Sequence, residues 1–374
     1  MPSDNTITIA SAGSGKTTAI VTDAEASNER SALVTYTVNS TAELKTKCYA
    51  TFGFVPANIE VASWFSFLLR HFIRPYQREV YNSPIRKLLF VSGRSKVFAK
   101  ESNTENYYFG APGEILSDKI SQFACKLIDE THSMPITRLE RIFQRLYIDE
   151  SQDLAGYDLE LIERLLNSNI AVHLMGDHRQ ATYSTNSAKK NSAYRGQNIV
   201  KKFQEWHDSD CATLSYQNHS HRCVQPICDA ADALFPDVPQ TQSLNGESTN
   251  HDGLFVIPAS HVGAYIEAYQ PQTLRFSRST KNVPGNPLNF GEAKGMTFER
   301  TLIFPHGKLL KYLKSGDLSH AGESLPKIYV GFTRAKQSVA FVVPDKPAEY
   351  IFPKYSEAAE WFIGNSEVCD GLGR

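Results

Sequence analysis

Short apolar runs alternate with longer polar segments along this chain of 374 residues. In the amino-terminal part the runs occupy residues 6–10, 32–37 and 59–63, with helix-compatible segments between them. Similar runs return at residues 146–149 and 170–175. Short apolar runs bounded by turn residues predict strands, and strands that alternate with helices predict a parallel α/β sheet.

A second series of apolar runs follows a polar stretch rich in Ser, Asn and Lys at residues 184–202. We interpret the chain as two parallel-sheet α/β lobes, residues 1–205 and 206–374. Aromatic and basic segments with helical spacing at about residues 68–145 predict a small helical insertion in the first lobe. Residues 240–253 predict an exposed loop. The strands predicted for the second lobe occupy residues 212–215, 254–257, 273–276, 301–304 and 338–343.

Composition narrows the class of protein. The 39 basic and 40 acidic residues leave a formal net charge of −1, which argues against a broadly basic nucleic-acid coat. The six cysteines form no CxxC pair, so neither a disulfide framework nor a zinc site is expected. Because no basic leader and no run of about 18 apolar residues is present, we expect a cytoplasmic protein without a membrane partner.

Residues 10–17 read ASAGSGKT between a predicted strand and a predicted helix. This is the context of a phosphate-binding loop, although the pattern GxxxxGK[ST] has glycine where Ala10 stands. Lys16 would add a full positive charge to the loop, and the Thr17 hydroxyl would bind Mg²⁺. A surface Gly/Ser turn is the alternative interpretation. The predicted nucleotide-binding residues here are Ala10, Ser11, Ala12, Gly13, Ser14, Gly15, Lys16, Thr17 and Thr18.

Asp149 ends the predicted strand at residues 146–149, and Glu150 follows it directly. A phosphate loop needs carboxylates at a neighbouring strand end, to hold the metal and to activate water. We expect Asp149 to orient Mg²⁺ together with Thr17, and Glu150 to act as the general base. A helix cap is the alternative interpretation of this acidic pair.

The motifs together resemble the UvrD/Rep-like DNA helicases of superfamily 1. Residues 149–153 (DESQD) are similar to that family's DExQD motif, and residues 176–183 (GDHRQATY) to its GDxxQxIY motif. Five further segments resemble family motifs in the family's order: residues 35–39 (TYTVN), 63–67 (SWFSF), 220–223 (SHRC), 291–299 (GEAKGMTFE) and 329–336 (YVGFTRAK). The resemblance implies a P-loop NTPase with two RecA-like lobes.

Roles for further residues follow from this resemblance. Gln180 would link the γ-phosphate to DNA, and Arg222 and Arg334 would reach the phosphates from the second lobe. His221 and Glu299 would complete the nucleotide site. Stacking or backbone contacts with single-stranded DNA are expected from Tyr36, Thr37, Asn39, Ser63, Trp64, Tyr183, Glu292 and Lys294. For Trp64, packing in the core is an equally strong interpretation.

The chain departs from the family at several points. No glutamine precedes Ser11 to read the adenine edge, so ATP is expected with other NTPs as alternatives. Tyr183 is followed by Ser184 and Thr185 instead of a Trp-Arg pair. We expect a helicase or translocase that uses ATP and Mg²⁺ and moves 3′ to 5′ on single-stranded or tailed DNA.

An alternative function is a nucleotide-dependent DNA-binding switch, or an ATPase subunit that acts with a partner such as a nuclease. Repair, replication and antiviral defence are all compatible pathways. Residues 70–78 mix basic and aromatic side chains, which fits either a nucleic-acid groove or a solvated helix end.

Overall fold

A computed structural model describes residues 4–355. The chain divides into two compact units, Met1–His219 and Ser220–Arg374. No helix in the described part of the chain is both long and apolar enough to cross a membrane.

The first unit is built on a six-stranded parallel sheet in the order β3-β2-β6-β7-β1-β8. A separate parallel pair, β4 and β5, lies in the insertion. The strands are β1 (Thr6–Ala10), β2 (Ser31–Thr35), β3 (Ile59–Ser63), β4 (Lys87–Leu89), β5 (Glu114–Leu116), β6 (Arg145–Ile148), β7 (Ala171–Gly176) and β8 (Thr213–Gln217).

Helices cover both faces of this sheet. They are α1 (Lys16–Ala26), α2 (Val38–Phe52), α3 (Trp64–Phe67), α4 (Thr104–Tyr108), α5 (Ile120–Glu130), α6 (Met134–Ile142), α7 (Tyr157–Leu166) and α8 (Ile199–Asp208). Alternate strand residues point to opposite faces, so Val34 and Ile148 enter one apolar cluster while Leu33 and Tyr147 enter the other.

The insertion between β3 and β6 is only partly helical. It contains a π-helical turn at Leu68–Ile73, the helices α4 to α6, the β4–β5 pair and long irregular segments. Helix α5 joins the main core through Phe123 and Leu127, which lie in the same buried cluster as Leu159 of α7. The prediction of a mostly helical segment is therefore correct for α5 and α6 and wrong for residues 80–103.

Strand β8 belongs to the first unit, although the sequence analysis placed it in the second lobe. It pairs in parallel with β1, so that Ile7 lies opposite Leu214. The polar stretch at residues 184–202 therefore does not end the first unit, and the compact unit extends to His219.

The second unit has a five-stranded parallel sheet in the order β11-β15-β14-β12-β13. Its helices are α9 (Gln225–Asp232), α10 (Val262–Tyr269), α11 (Gly307–Ser315) and α12 (Leu325–Phe332). The strands, including a separate β9–β10 pair, are β9 (His219–Ser220), β10 (Gln242–Ser243), β11 (Gly253–Pro258), β12 (Gln272–Arg275), β13 (Leu288–Asn289), β14 (Phe298–Phe304) and β15 (Ala335–Val343).

The predicted loop at residues 240–253 is not wholly exposed. It contributes β10 to a strand pair, and Thr241 and His251 are buried. With two parallel sheets covered by helices, the predicted α/β class of two RecA-like lobes is confirmed.

Candidate nucleotide and nucleic-acid site

The loop between β1 and α1 has the backbone conformation that a phosphate-binding loop needs. Gly13 and Gly15 have φ angles of 77° and 84°, a left-handed region that glycine adopts without steric cost. Helix α1 then starts at Lys16, with no capping side chain and no acidic residue in its first turn. Its N-terminal partial positive charge therefore remains available to an anion.

Lys16 lies along the loop. Its Nζ donates to the carbonyl oxygens of Ala10 at 2.9 Å and Ser11 at 3.0 Å. Burial lowers the pKa of Lys16, while the carboxylates of Asp177, Glu150 and Asp149 oppose that shift. A phosphate would offer the ammonium a charged acceptor in place of two neutral carbonyls.

The remaining loop residues fit a phosphate ligand. Ser14 is buried, and its Oγ has no hydrogen-bond partner in the described part of the chain, so a phosphate oxygen would satisfy this hydroxyl. Ala12 is also buried, and Thr18 is exposed on the first turn of α1.

Thr17 and Asp149 meet at the carboxyl end of the sheet. Thr17 Oγ1 donates to Asp149 Oδ2 at 3.1 Å. Burial raises the pKa of Asp149, and the adjacent Glu150 carboxylate raises it further. In the described part of the chain no group of three His, Cys, Asp or Glu could hold a metal ion. The Thr17 hydroxyl and the Asp149 carboxylate are oxygen ligands, which suit a hard divalent cation.

Glu150 leaves the strand end in a different direction from Asp149. It has a φ of 57°, an uncommon left-handed value for a residue other than glycine. Its N–H donates to Asp149 Oδ1 at 2.9 Å, and the Gln152 side-chain amide donates to its carboxylate. The two carboxylates can therefore have separate roles, one toward a metal and one toward water.

Asp177 and Arg179 are part of the site, although the sequence analysis assigned no role to either. Both are almost completely buried, and Arg179 Nε donates to Asp177 Oδ1 at 2.8 Å. Arg179 Nη2 also donates to Ser11 Oγ at 2.9 Å. Burial alone would raise the pKa of Asp177, but Arg179 and Lys16 outweigh it and hold that pKa far below its usual range. This ion pair thus connects the phosphate loop to the segment after β7.

Gln180 belongs to the same network, since its Nε2 donates to Asp177 Oδ2 at 3.0 Å. The backbone N–H of Asp177 donates to Gln152 Oε1 at 2.9 Å. Gly176 permits this close approach, because a Cβ there would lie 2.7 Å from Ser151 Oγ. The DESQD and GDHRQ segments are therefore packed too tightly for a side chain at position 176.

The first predicted strand-contact segment lies at the end of β2. Tyr36 is half-buried and meets Phe65 edge-on at 5.5 Å, and burial raises the pKa of Tyr36 to about 12. Thr37 caps α2, because its Oγ1 accepts from the Ser40 N–H at 3.0 Å. Asn39 is exposed in the first turn of α2.

Of the two interpretations of Trp64, the structure supports packing in the core. Its side chain is 1% exposed, and its indole N–H donates to buried Asp158. Ser63 caps α3 by accepting from the Ser66 N–H at 3.4 Å. Tyr183 is 44% exposed and keeps a face on the surface.

In the second unit, Arg222 and Arg334 meet at Thr333. Arg222 Nη1 donates to the Thr333 carbonyl at 3.1 Å, and Arg334 Nη2 to the Thr333 hydroxyl at 3.2 Å. Arg334 is 1% exposed, and it also donates to the carbonyls of Val330 at 3.1 Å and Met296 at 3.3 Å. The arginine that the resemblance assigns to the γ-phosphate is thus enclosed by carbonyls of its own unit.

The other predicted residues of the second unit are exposed or half-buried. His221 is exposed, and Glu299 is paired with Lys336 at 2.7 Å. Glu292 is exposed, and its Oε2 accepts from the Asn289 N–H at 3.0 Å. Lys294, in the turn that follows β13, is half-buried.

A P-loop followed by an acidic strand end in a parallel sheet defines a P-loop NTPase. Residues 124–343 match the family model described as the viral superfamily 1 RNA helicase core domain. This match covers more than half of the chain, and the chain belongs to that family. The expected superfamily 1 membership is therefore confirmed, while the narrower UvrD/Rep-like assignment stays a prediction. No curated protein matches the chain.

Several solved helicase structures are similar to this chain. Arterivirus nonstructural protein 10 (helicase) is 14% identical with a TM-score of 0.45, covering 91% of this chain and 60% of that one. Its complex with DNA gives 15% identity, a TM-score of 0.46 and coverage of 91% and 61%. The PRRSV helicase is 12% identical with a TM-score of 0.45, covering 92% of this chain and 55% of that one. The chain thus spans between 55% and 61% of these proteins.

Proposed function

We propose that this protein is a motor that hydrolyses ATP with Mg²⁺ while moving 3′ to 5′ on single-stranded or tailed DNA. One observation carries the proposal: the phosphate loop, the acidic strand end and Gln180 form one connected network. Arg179 bonds both to Ser11 of the loop and to Asp177, and Asp177 accepts from Gln180. Nucleotide binding in the loop can therefore change the position of the segment that ends at Tyr183.

The proposed chemistry gives each predicted residue a separate role. Lys16 and the N-terminus of α1 would bind the phosphates, and Glu150 would accept a proton from the attacking water. A divalent cation bound by the Thr17 hydroxyl would neutralise phosphate charge, and Asp149 would hold the water molecules that surround this cation. Arg222 and Arg334 would stabilise the charge that develops on the transferred phosphoryl group.

Two substitutions with opposite expectations test the site. Lys16→Ala is expected to abolish NTP hydrolysis while the circular dichroism spectrum stays unchanged. Lys201→Ala, at an exposed lysine of α8, is the matched control and should hydrolyse at the wild-type rate. Wild-type hydrolysis by Lys16→Ala would contradict the proposal.

The nucleic-acid substrate is tested separately. The matching family is described as an RNA helicase core domain. Single-stranded DNA and RNA of equal length are therefore compared as activators of hydrolysis. Stimulation by DNA, and unwinding of a 3′-tailed but not a 5′-tailed duplex, are the expected results. Stimulation by RNA alone would replace DNA as the substrate. Comparable kcat/KM values for ATP and GTP are a further expectation.

A second function is favoured by the enclosure of Arg334. Because this arginine bonds to carbonyls of its own unit, hydrolysis could be slow until a partner such as a nuclease rearranges it. The chain would then act as a nucleotide-dependent DNA-binding switch. Slow hydrolysis that DNA changes less than twofold, with no unwinding, would select the switch over the motor.

A further inference from the structure

Asp158, in the first turn of α7, is a buried carboxylate that accepts five hydrogen bonds from neutral groups within residues 4–355. Trp64 Nε1 donates at 2.8 Å, Asn186 Nδ2 at 3.1 Å and the Ala155 N–H at 3.3 Å. The hydroxyls of Ser121 and Thr185 also donate.

The two oxygens of this carboxylate serve different parts of the fold. Oδ1 accepts from Trp64, which directly follows Ser63, and from Ser121 of the insertion. Oδ2 accepts from Thr185 and Asn186, which follow Tyr183 closely along the chain. A single side chain thus joins the start of α3 to the segment after Gln180.

The segment on the Oδ2 side is held at further points. Asn186 Nδ2 donates to the Ala155 carbonyl at 2.6 Å, and Asn191 Nδ2 donates to the Gly156 carbonyl at 2.9 Å. Gly156 has a φ of 60°, and a Cβ there would collide with the Asn186 side chain. Residues 185–191 are therefore fixed on the start of α7.

A buried carboxylate without a cationic hydrogen-bond donor is costly, because neutral donors only partly replace its hydration. An apolar side chain would fill the same space with a smaller desolvation cost. What the carboxylate adds is geometry: it fixes donors from three separate segments at one point.

We propose that Asp158 is a positioning residue that couples the Gln180–Tyr183 segment to the strand-contact segment beginning at Ser63. The inference rests on the proposed function, in which Gln180 responds to nucleotide and Ser63 lies at the nucleic-acid surface. Nucleotide would then change the affinity for the strand through the Thr185–Asp158–Trp64 hydrogen bonds, and the strand would change the affinity for nucleotide by the same factor.

Three substitutions test this coupling in the full chain. Thr185→Val removes the donor on the Gln180 side, and Trp64→Phe removes the donor on the Ser63 side while keeping an aromatic ring. Ser121→Ala is the matched control. It removes a donor to the same carboxylate, but Ser121 belongs to neither of the two segments. Fluorescence anisotropy gives the Kd of labelled oligo(dT) with and without a non-hydrolysable ATP analogue, and the ratio of the two values is the coupling factor.

Thr185→Val and Trp64→Phe are each expected to lower the coupling factor at least fivefold, and Ser121→Ala to leave it within twofold. The double variant should lose little more than either single variant, because both interrupt one connection. Basal hydrolysis without DNA should stay within twofold in Thr185→Val.

The outcomes separate the inference from the function beneath it. If the wild-type protein shows coupling, and Thr185→Val and Trp64→Phe show the same coupling factor, the role of Asp158 is overturned and the motor function is not. An equal loss in Ser121→Ala would also overturn it, since the effect would then follow from lost stability. Absence of coupling in the wild-type protein, together with hydrolysis that DNA does not change, would overturn both the inference and the motor.

Discussion

The indole N–H of Trp64 donates to Oδ1 of Asp158 at 2.8 Å, with both side chains buried. Trp64 also stacks on Phe67, with ring centroids 6.3 Å apart. This hydrogen bond decides between the two interpretations that the sequence leaves open for Trp64. The buried position of Trp64 agrees with the interpretation that it packs in the core.

Trp64→Ala should therefore mainly reduce stability, whereas Tyr183→Ala should mainly weaken strand binding. Trp64→Ala is expected to reduce the free energy of unfolding by about 3–5 kcal/mol, because it opens a cavity and removes a donor from Asp158. Tyr183→Ala should change stability by less than about 0.5 kcal/mol and weaken strand binding by about 1–3 kcal/mol. Urea denaturation and anisotropy titrations measure the two effects. A stable Trp64→Ala variant with weakened binding would restore the stacking role.

Arg179→Ala should strongly destabilise the first unit. It leaves the buried Asp177 carboxylate without its closest cation, which typically costs about 3–5 kcal/mol. The double variant Asp177→Asn/Arg179→Met removes both charges and should recover part of that loss. Urea midpoints of the three proteins test this expectation, and equal midpoints for wild type and Arg179→Ala would contradict it.

Arg334→Ala should bind nucleotide and fail to turn it over. We expect the Kd for a fluorescent ATP analogue to stay within a few-fold and kcat to fall about 10³-fold, the range for an arginine that stabilises a transferring phosphoryl group. If Arg334 only held the carbonyls around it, the melting temperature would fall while kcat per folded molecule stayed unchanged. Titration, steady-state kinetics and calorimetry on one preparation distinguish these roles.

The insertion carries a local excess of positive charge that the net charge of −1 conceals. Residues 70–100 contain eight basic residues and one acidic residue. The loop after β4 is fixed in place, because Ser95 Oγ donates to Asp118 Oδ1 at 2.6 Å, and it leaves Phe98 100% exposed. Cationic and aromatic side chains on an ordered loop suit a single strand.

Removing three of these charges should lower both strand affinity and its salt dependence. For the triple variant Arg94→Gln/Lys96→Gln/Lys100→Gln we expect the slope of log K against log salt to become shallower by about 2, at about 0.7 per lost phosphate contact. The control triple Lys201→Gln/Lys311→Gln/Lys314→Gln removes three exposed lysines elsewhere. Equal slopes for the two triple variants would favour the solvated-surface interpretation.

Local patterns in the sequence predict most of the strands but not their partners. Residues 59–63 form the strand that their apolar pattern predicts, because burial of alternate side chains is visible in the sequence. The sheet that β8 joins depends on pairing Leu214 with Ile7, more than 200 positions away. No local signal encodes that contact, which is why the predicted lobe boundary fell before this strand.

The same reasoning explains the site. The loop glycines, Lys16, Thr17 and Asp149 were predicted because their chemistry requires those residue types at that spacing. The ion pair of Asp177 and Arg179 was missed, although both residues stand inside the quoted GDHRQ segment. Charged side chains beside a motif are usually solvated, and only the fold shows that this pair is buried against Ser11.

The contact of Ser121 with Asp158 limits how the first unit can be engineered. Helix α5 of the insertion shares one continuous apolar cluster with α7 and the central strands, and it also donates to that carboxylate. The insertion therefore cannot be deleted as an independent segment. A chain in which a short linker replaces residues 68–145 would expose the core and leave Asp158 short of a donor. Transplanting the insertion of another helicase would require its α5 and this α7 to be redesigned together.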